Sequence, residues 1–276
     1  MPAEIKLDWN KVLNCSAIIN NNIDNVYFEY IWHRYIDNQD IEYKDWKPSG
    51  LTFDSHWLVK YYLNFIHCKD LLKDYNVLDL GCGIPFYAKW FLNSGAKSYD
   101  GIDLDFNRII IGDQLLELQN LKDKANIISD DIESYVYKPQ FVDSRPWIPQ
   151  YLKSYDIVYL IESLYYIHNQ HDLLTTIKQN IKPKNLIIES VVVDDILEHP
   201  EGIIRVKYSS EDSKDYDGVK SDLPRLKMHS SRKAYEKLFE STGWKIKEYY
   251  DFKNYKGPDF PSENIANGRK MFYVLE

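Results

Sequence analysis

Short apolar runs alternate with amphipathic helical segments along most of the chain, and this alternation restricts the possible folds more than any other feature. Short, fully apolar strands separated by helices predict a parallel sheet that is covered on both faces. Right-handed crossovers then make the sheet doubly wound. The five runs are Val77–Leu80, Ser98–Asp103, Asn126–Ser129, Ile157–Ile161 and Leu186–Val193.

The end of the chain departs from this alternation. A helix predicted at Ser231–Ser241, with Gly243 after it, leads into an apolar run over 244–252. A further run, Lys270–Leu275, follows without a helix between the two. Two successive strands predict an antiparallel hairpin at the sheet edge. The predicted fold is therefore α/β: a Rossmann-like, doubly wound, mostly parallel sheet with a C-terminal antiparallel hairpin strand.

Three segments fall outside this pattern, and one of them, residues 134–153, interrupts the third crossover. Residues 1–54 form an aromatic-rich N-terminal extension, and residues 55–276 form the predicted core with a long insertion at 194–229. A loop of that length is usually a lid, a binding element or a mobile segment, and a solvated loop is the simplest interpretation. Aromatic residues within 26–46 either cover a ligand as a lid or pack on the core as an amphipathic helix.

Composition limits the partners and the compartment. The 276 residues carry a formal net charge of −8 and three cysteines. This charge disfavours DNA as a partner, although a local basic groove is compatible with it. No apolar run approaches the roughly 18 residues needed to span a bilayer, and no secretory signal opens the sequence. We expect a cytoplasmic protein with reduced thiols and no membrane contact, and we leave its oligomeric state open.

A glycine-rich turn follows the first apolar run, in the stretch VLDLGCGIPFYAKWF (77–91). Gly81 and Gly83 let the backbone bend tightly and let a ligand approach closely. A dinucleotide fingerprint needs a third glycine where this chain has Phe86, and the carboxylate of Asp79 is unfavourable beside a pyrophosphate. The turn therefore favours a cationic, phosphate-free nucleoside. A strand–helix connection without a ligand, or a dinucleotide site, is the alternative.

Carboxylates end the next two strands. Asp103 ends the second run, where an acid can accept both hydroxyls of a ribose. Asp130 and Asp131 end the third run, where a carboxylate can receive an exocyclic amine. Because the carboxyl ends of parallel strands meet at one edge of a sheet, we expect these acids to line one ligand site.

With these motifs in this order, the chain resembles the class I S-adenosylmethionine-dependent methyltransferases. The resemblance covers about residues 55–276 and rests on VLDLGCG (77–83), GIDLD (101–105), SDDI (129–132), YDIVYLIESLYYI (155–167) and the terminal hairpin. It implies S-adenosylmethionine as the cofactor. The cofactor-binding residues that it implies are Asp79, Gly81, Cys82, Gly83, Asp103, Leu104, Asp130, Asp131, Ile132 and Ile161.

Pro85 departs from the family, which often has glycine at this position. Proline is acceptable in the first turn of a helix, where its missing N–H costs no hydrogen bond. We therefore expect cofactor binding to persist with a stiffer turn, and we expect Pro85 to be a first-turn residue of the next helix.

The residues after the fourth run are the candidates for chemistry, because this position faces the methyl group in the family's architecture. Methyl transfer needs a general base only if the nucleophile must lose a proton, and much of the rate can come from positioning. We predict Glu162 or His168 as the base, Tyr165 as a residue that orients the substrate, and Tyr166 as a substrate-binding residue. Helix packing is the alternative role for both tyrosines, and a helix start for His168.

The pair His168 and His171, with Asp172, has a spacing that is compatible with metal binding. No third ligand is evident from the spacing, and a solvated helix start explains these residues equally well. The predicted site therefore contains no metal.

A second resemblance bears on the substrate. The stretches WKPSGLTFDSHW (46–57), LYYIHNQHDLL (164–174) and LIIESVVVDD (186–195) are similar to relatives that carboxymethylate the wobble uridine of transfer RNA. That similarity implies that Lys47 and Tyr165 engage an extra carboxylate. Here the LYH-like motif reads LYY, and the basic surface for transfer RNA is not obvious, so the similarity indicates domain layout more than activity.

Three functions are consistent with the sequence. The acidic charge and the aromatic extension favour a methyltransferase that acts on a small molecule. A methyl- or carboxymethyltransferase for RNA is the second hypothesis, and a basic strip from Lys47 across 205–233 would favour it. The third is a protein that binds S-adenosylmethionine without catalysis and acts as an interaction module.

Overall fold

The computed structural model describes residues 2–8, 10–12, 14, 59–137, 154–193, 202–209, 225–254 and 270–276. Eight strands within these ranges form one sheet, and two more form a separate antiparallel pair. The sheet strands are β1 (Ala3–Glu4), β2 (Asn76–Leu80), β3 (Ser98–Asp103), β4 (Ala125–Ser129), β5 (Ile157–Ile161), β6 (Asn185–Val191), β9 (Ile246–Asp251) and β10 (Lys270–Leu275). The separate pair consists of β7 (Ile204–Ser209) and β8 (Arg225–Ser230).

Helices connect the parallel strands, and polar side chains begin several of them. Asp105, Asn169 and Ser231 each accept hydrogen bonds from backbone N–H groups in the first turn of the following helix. The α-helices are α1 (Lys69–Leu72), α2 (Phe86–Asn93), α3 (Phe106–Leu118), α4 (Ile132–Tyr137), α5 (Gln170–Thr176) and α6 (Arg232–Ser241). Segments of π-helix occupy Tyr62–His67 and Ile177–Ile181, and 3₁₀-helices occupy Leu164–Tyr166 and Phe252–Asn254.

The strand order confirms the predicted doubly wound sheet. Across the sheet the order is β1-β9-β10-β6-β5-β2-β3-β4. The five strands β2 to β6 pair in parallel, with β2 between β3 and β5. Because the chain winds outward in both directions from β2, the crevice beyond its carboxyl end is the expected ligand site.

The predicted C-terminal hairpin is also confirmed. Strand β10 pairs antiparallel with both β6 and β9, and the two-residue β1 pairs in parallel with β9 at the outer edge. Since β10 runs opposite to its neighbour β6, the start of β10 lies beside the carboxyl end of β6: Lys270 pairs with Val191. A residue from the end of the chain therefore enters the edge where ligands bind.

Buried side chains cover both faces of the sheet, as the apolar runs predict. Val77 and Tyr99 belong to one buried cluster, whereas Leu78 and Ile102 belong to the other, because successive strand residues point to opposite faces. The parallel strands therefore form a platform whose two faces are covered by the core.

The insertion at 194–229 differs from the solvated loop that its composition favoured. Its described parts form the β7–β8 hairpin, which extends to Ser230. The base of this hairpin is anchored, because Ser231 accepts a hydrogen bond from the backbone of Ile203 and donates one to it. The lid interpretation stays a prediction. Lys47 and the aromatic residues of 26–46 lie outside the described residues.

No helix in the described ranges is long and apolar enough to cross a membrane.

Candidate active site

The glycine-rich turn is tied to the neighbouring strand β3. The backbone N–H groups of Gly81 and Cys82 both donate to the carbonyl of Ile102, at 2.8 and 3.0 Å. The N–H of Gly83 donates to Oδ2 of Asp103 at 2.8 Å. Gly81 and Gly83 have φ values of +87° and +57°, a region that favours glycine. The predicted turn residues and the strand-end acid therefore form one structural unit.

Gly81 also lies against the segment that follows β5. A Cβ added to Gly81 would lie 2.5 Å from Cβ of Ser163, closer than any real contact. The buried Ser163 hydroxyl donates to the carbonyl of Leu80 at 2.7 Å. This contact joins the turn to the segment that contains Glu162 and Tyr165.

Pro85 precedes the next helix rather than joining its first turn, because α2 begins at Phe86 and Pro85 has a ψ of 63°. Its ring packs on Gly112 of α3, where an added Cβ would lie 2.3 Å from Cδ of the proline. Because Gly112 has no side chain, it leaves the space that the proline ring fills.

Asp79 is buried beneath the turn. Its Oδ2 accepts a hydrogen bond from the hydroxyl of Tyr99 at 2.8 Å. Burial raises the pKa of Asp79 to about 7; the hydrogen bond from Tyr99 lowers it and the nearby carboxylate of Asp103 raises it. The free thiol of Cys82 is buried in the same place. Asp79 can therefore gain or lose its proton near neutral pH.

Replacing Asp79 by asparagine should remove a pH dependence of stability. The folded-state pKa of about 7 lies above the ordinary value of 3.8, so the native state holds this proton where the unfolded state has lost it. The contribution of Asp79 to the free energy of unfolding is thus fully present below pH 4 and is lost as the pH rises through 7. We expect Asp79→Asn to match the wild type near pH 4 and to exceed its free energy of unfolding by about 2 to 4 kcal/mol at pH 8.

Urea denaturation at several pH values measures this difference. Exposed Asp123, changed to asparagine, is the control, and it should not alter the pH profile. A difference between Asp79→Asn and the wild type that is the same at pH 4 and pH 8 would contradict the buried, proton-linked role of Asp79.

Asp103 organises the predicted ribose position. Its two oxygens accept hydrogen bonds from the backbone of Gly83 and Asp105, at 2.8 and 2.9 Å. Each carboxylate oxygen can accept a second hydrogen bond, so capacity remains for ligand hydroxyls. Next to it, 53% of Leu104 is exposed, which leaves an apolar surface beside the acid.

The acids after β4 lie at the same edge. The N–H of Asp130 donates to the carbonyl of Asp103 at 3.0 Å. Asp131 accepts the N–H of Ser134 at 2.8 Å and so caps α4, which starts at Ile132. Ile161, at the end of β5, is buried. The structure therefore brings the predicted cofactor-binding residues to one edge of the sheet, although their roles stay predictions.

Four charged residues, three of them buried, meet near the carboxyl ends of β5 and β6 and the start of β10; we call them the Lys60–Glu162–Glu189–Lys270 quartet. Lys60 Nζ lies 3.2 Å from Glu162 Oε1 and 3.0 Å from Glu189 Oε1. Lys270 pairs with Glu162, and its Nζ lies 3.8 Å from Glu189 Oε1. The Glu189 side chain is 0% exposed and that of Glu162 is 26% exposed. Two positive charges thus neutralise two negative charges, and only Glu162 reaches the surface.

The quartet determines what Glu162 can do. Burial opposes its ionisation, but the ammonium groups of Lys270 and Lys60 outweigh burial and lower the pKa of Glu162. Burial raises the pKa of Glu189, whose side chain is fully buried. A carboxylate held ionised by two cations is a weak proton acceptor, so this geometry supports a positioning role for Glu162 more than the predicted role as base.

Tyr165 and Tyr166 lie next to Glu162. The Tyr165 hydroxyl donates to Glu162 Oε2 at 3.3 Å, and the two tyrosine rings are 4.5 Å apart. Burial, followed by the negative charge of Glu162, raises the pKa of Tyr165, so its hydroxyl stays protonated. The hairpin packs here, because the His229 ring meets Tyr165 edge-on at 5.4 Å. Tyr165 and Tyr166 are thus placed at one surface beside the turn.

His168 is exposed and lies near Glu133 at the start of α4. His171 contacts Asp172 at 3.3 Å, and both are exposed. In the ranges that the structure describes, no group of three or more His, Cys, Asp or Glu residues is arranged to hold a metal ion.

Sequence reasoning missed Lys60, Glu189, Lys270, Ser163 and Tyr99. A signal existed for two of them. Lys60 interrupts an apolar helical stripe, and Glu189 interrupts a nearly continuous apolar strand. Charged residues at such positions are almost never buried unless they are paired. The partners were not identifiable, because they come from distant parts of the chain.

The geometry agrees with the comparison to known sequences. The profile of a family described as the methyltransferase domain matches residues 46–249, which is more than half of the chain. The chain belongs to the methyltransferase domain family. The matched residues include the turn, the acids that follow it and the segment of Glu162 and Tyr165.

Individual relatives of this methyltransferase-domain protein differ in what their names say they act on. It is 25% identical to malonyl-[acyl-carrier protein] O-methyltransferase 2 of Ilyobacter polytropus, over 56% of this chain and 54% of the relative. It is 29% identical to a tRNA U34 carboxymethyltransferase of Colwellia psychrerythraea, over 58% of this chain and 47% of the relative. The chain thus spans about half the length of the curated relatives it matches.

A solved structure supports the fold. An S-adenosylmethionine-dependent methyltransferase from Clostridium acetobutylicum superposes with a TM-score of 0.51 at 16% identity, covering 90% of this chain and 97% of the other. At this identity the similarity is evidence of the fold alone.

Proposed function

We propose that this protein is an S-adenosylmethionine-dependent methyltransferase that acts on a small molecule. The observation that carries the proposal is the hydrogen bond from Gly83 to Asp103, which joins the glycine turn to the acid at the end of the next strand. This unit lies at the switch point of a methyltransferase-family sheet.

The residues present fit this cofactor. Gly83 leaves open space: among the residues that the structure describes, only Arg108 Nη1, at 3.7 Å, comes within 4 Å of an added Cβ. The groups that surround the turn are carboxylates rather than the phosphate-binding groups of a dinucleotide site. Asp79, Asp103 and Asp131 suit a nucleoside that carries hydroxyls, an amine and positive charge.

When bound, S-adenosylmethionine supplies an activated methyl group on a sulfonium. The chain would hold the cofactor with the turn 81–83, with Asp103 at the ribose and with Asp131 at the adenine. Tyr165 and Tyr166 would position the acceptor, and Glu162 would fix the Tyr165 hydroxyl. Most of the rate enhancement would then come from alignment of the acceptor.

Transfer RNA is the second candidate substrate, because some relatives are named as tRNA U34 carboxymethyltransferases. The net charge of −8 favours a small molecule over RNA.

Replacing Asp103 by alanine should weaken S-adenosylmethionine binding about 10- to 100-fold, which corresponds to roughly 1 to 3 kcal/mol for hydrogen bonds to a charged group. The substitution also frees the N–H of Gly83, so the turn loses its anchor. Isothermal titration calorimetry with the cofactor measures the change. The matched control is Asp123→Ala, which removes one exposed carboxylate elsewhere and should bind normally.

The proposed function fails if the wild-type protein gives no binding heat at millimolar S-adenosylmethionine. An unchanged affinity in Asp103→Ala would remove Asp103 from the site. Formation of S-adenosylhomocysteine with pooled small metabolites, but not with purified transfer RNA, would support the small-molecule substrate, and the opposite result would favour RNA.

A further inference from the structure

Lys227 of β8 is placed over the two tyrosines of the acceptor site. Its Nζ lies 5.0 Å from the ring centre of Tyr166 and 6.0 Å from that of Tyr165. The side chain is half-buried. Its ammonium forms no ion pair or hydrogen bond with any part of the chain that the structure describes. Within this part it makes cation–π contacts with the two tyrosine rings. Three N–H donors therefore remain available at this surface.

The charges next to these tyrosines are already paired. Glu162 is the nearest acid that the structure places against Tyr165, and its charge is already compensated by Lys60 and Lys270 within the quartet. Glu162 is therefore not available to neutralise Lys227. Among the described residues, the Lys227 ammonium therefore has no counter-charge at the acceptor surface, in a place partly shielded from water, where a counter-charge interacts more strongly than in bulk solvent.

The surroundings also indicate the rest of the ligand. The rings of Tyr165 and Tyr166, inclined at 45° to each other, provide largely apolar faces next to the ammonium. A monoanion matches a single lysine, whereas a phosphate dianion would leave a charge in excess. The chemistry that fits is a carboxylate on an apolar or aromatic body.

We propose that Lys227 selects acceptors that carry a carboxylate, by binding this group above Tyr165 and Tyr166. This assignment rests on the proposed methyltransferase function, because it places the carboxylic acid beside the cofactor turn. The link is structural: Ser163, between Glu162 and Tyr165, packs on Gly81 and hydrogen-bonds to Leu80.

Phenylacetate tests the proposal as a probe, with phenylacetamide and phenethylamine as its neutral and cationic counterparts. Binding to the full-length protein is measured by calorimetry, with and without S-adenosylhomocysteine. We expect phenylacetate to bind best and Lys227→Gln to weaken it about 10- to 100-fold, as expected for the loss of a hydrogen bond between charged groups. Lys227→Arg should retain most of the affinity, because it keeps the charge.

Lys178→Gln is the matched control. Lys178 is also half-buried and also lies over an aromatic ring, with Nζ 4.1 Å from the ring centre of Trp244. It follows α5 and precedes β6, at the opposite edge of the sheet. Phenylacetate affinity should be unchanged in this variant, so a decrease confined to Lys227→Gln assigns the carboxylate to Lys227.

Three results would overturn the proposal: no phenylacetate binding, equal affinity in wild type and Lys227→Gln, or preference for the amine. A fourth concerns the source of the carboxylate. If carboxy-S-adenosylmethionine binds more tightly than S-adenosylmethionine, and Lys227→Gln removes this advantage, the lysine serves the cofactor instead. Absence of S-adenosylhomocysteine binding would count against the proposed function, whereas the measurement without cofactor would still test Lys227.

Discussion

Replacing Lys60 by methionine should lower the free energy of unfolding by about 3 to 5 kcal/mol, the usual cost of removing one partner from a buried ion pair. Glu189 is fully buried and lies 3.0 Å from Lys60, while its other cation, Lys270, is 3.8 Å away. Without Lys60, Glu189 must stay charged in a low-dielectric environment or take up a proton. Urea denaturation of wild type and variant measures the loss.

A second substitution distinguishes an uncompensated charge from a simple packing defect. Removing both partners, with Lys60→Met and Glu189→Leu together, leaves the Glu162–Lys270 pair intact and should recover most of the loss, because apolar residues of similar size can replace a buried pair. The exposed pair Lys122–Asp113 is the control, and Lys122→Met should cost less than about 1 kcal/mol. A double variant as unstable as the sum of its single changes would contradict this account of the quartet.

Replacing Gly81 by alanine should lower both stability and cofactor affinity. A left-handed backbone costs a non-glycine residue about 1 to 2 kcal/mol, and the contact of the new Cβ with Ser163 adds about 1 to 3 kcal/mol, as for other overpacked sites. Relief of that contact must move the turn or the segment of Glu162 and Tyr165. We therefore expect at least about a 10-fold weaker binding of S-adenosylmethionine as well, since a displacement of about 1 Å near a site has large effects.

Gly243 provides the control for the backbone part of this effect. It has a φ of +79°, and no atom of the described part of the chain lies within 4 Å of an added Cβ. Gly243→Ala should therefore cost about 1 to 2 kcal/mol and leave cofactor binding unchanged. In a Ser163→Gly background the steric part should vanish, so the double-mutant cycle should show a coupling of about 1 to 3 kcal/mol. Zero coupling would show that the contact with Ser163 is not the cause.

The strands and the glycine-rich turn were predictable because each depends on local patterns. Apolar runs of strand length identified β2 to β6, and Ser231 with Gly243 correctly bounded α6. The terminal strand Lys270–Leu275 was predicted without error. These features follow from burial on both faces, helix capping and glycine geometry, which neighbouring residues determine.

The quartet was not predictable, because its members come from four elements and no spacing rule relates them. The β7–β8 hairpin was missed for a different reason. Ile204 and Val206 alternate with charged residues, as a strand should, but both are exposed. A two-stranded ribbon with exposed apolar residues in β7 lacks the apolar density by which the sheet strands were found. The segment therefore read as a polar loop.

The contact between Pro85 and Gly112 restricts which amino acids can occur together at these two positions during evolution. Each occupies the volume that the other leaves free, so a larger residue in α3 is compatible with this turn only after the proline ring has been lost. The two positions therefore share one steric constraint, although they lie in distant parts of the chain. A relative could carry glycine in the turn and a bulkier residue in the helix with the same interior, and its turn would then show the glycine that the family often has where Pro85 stands here.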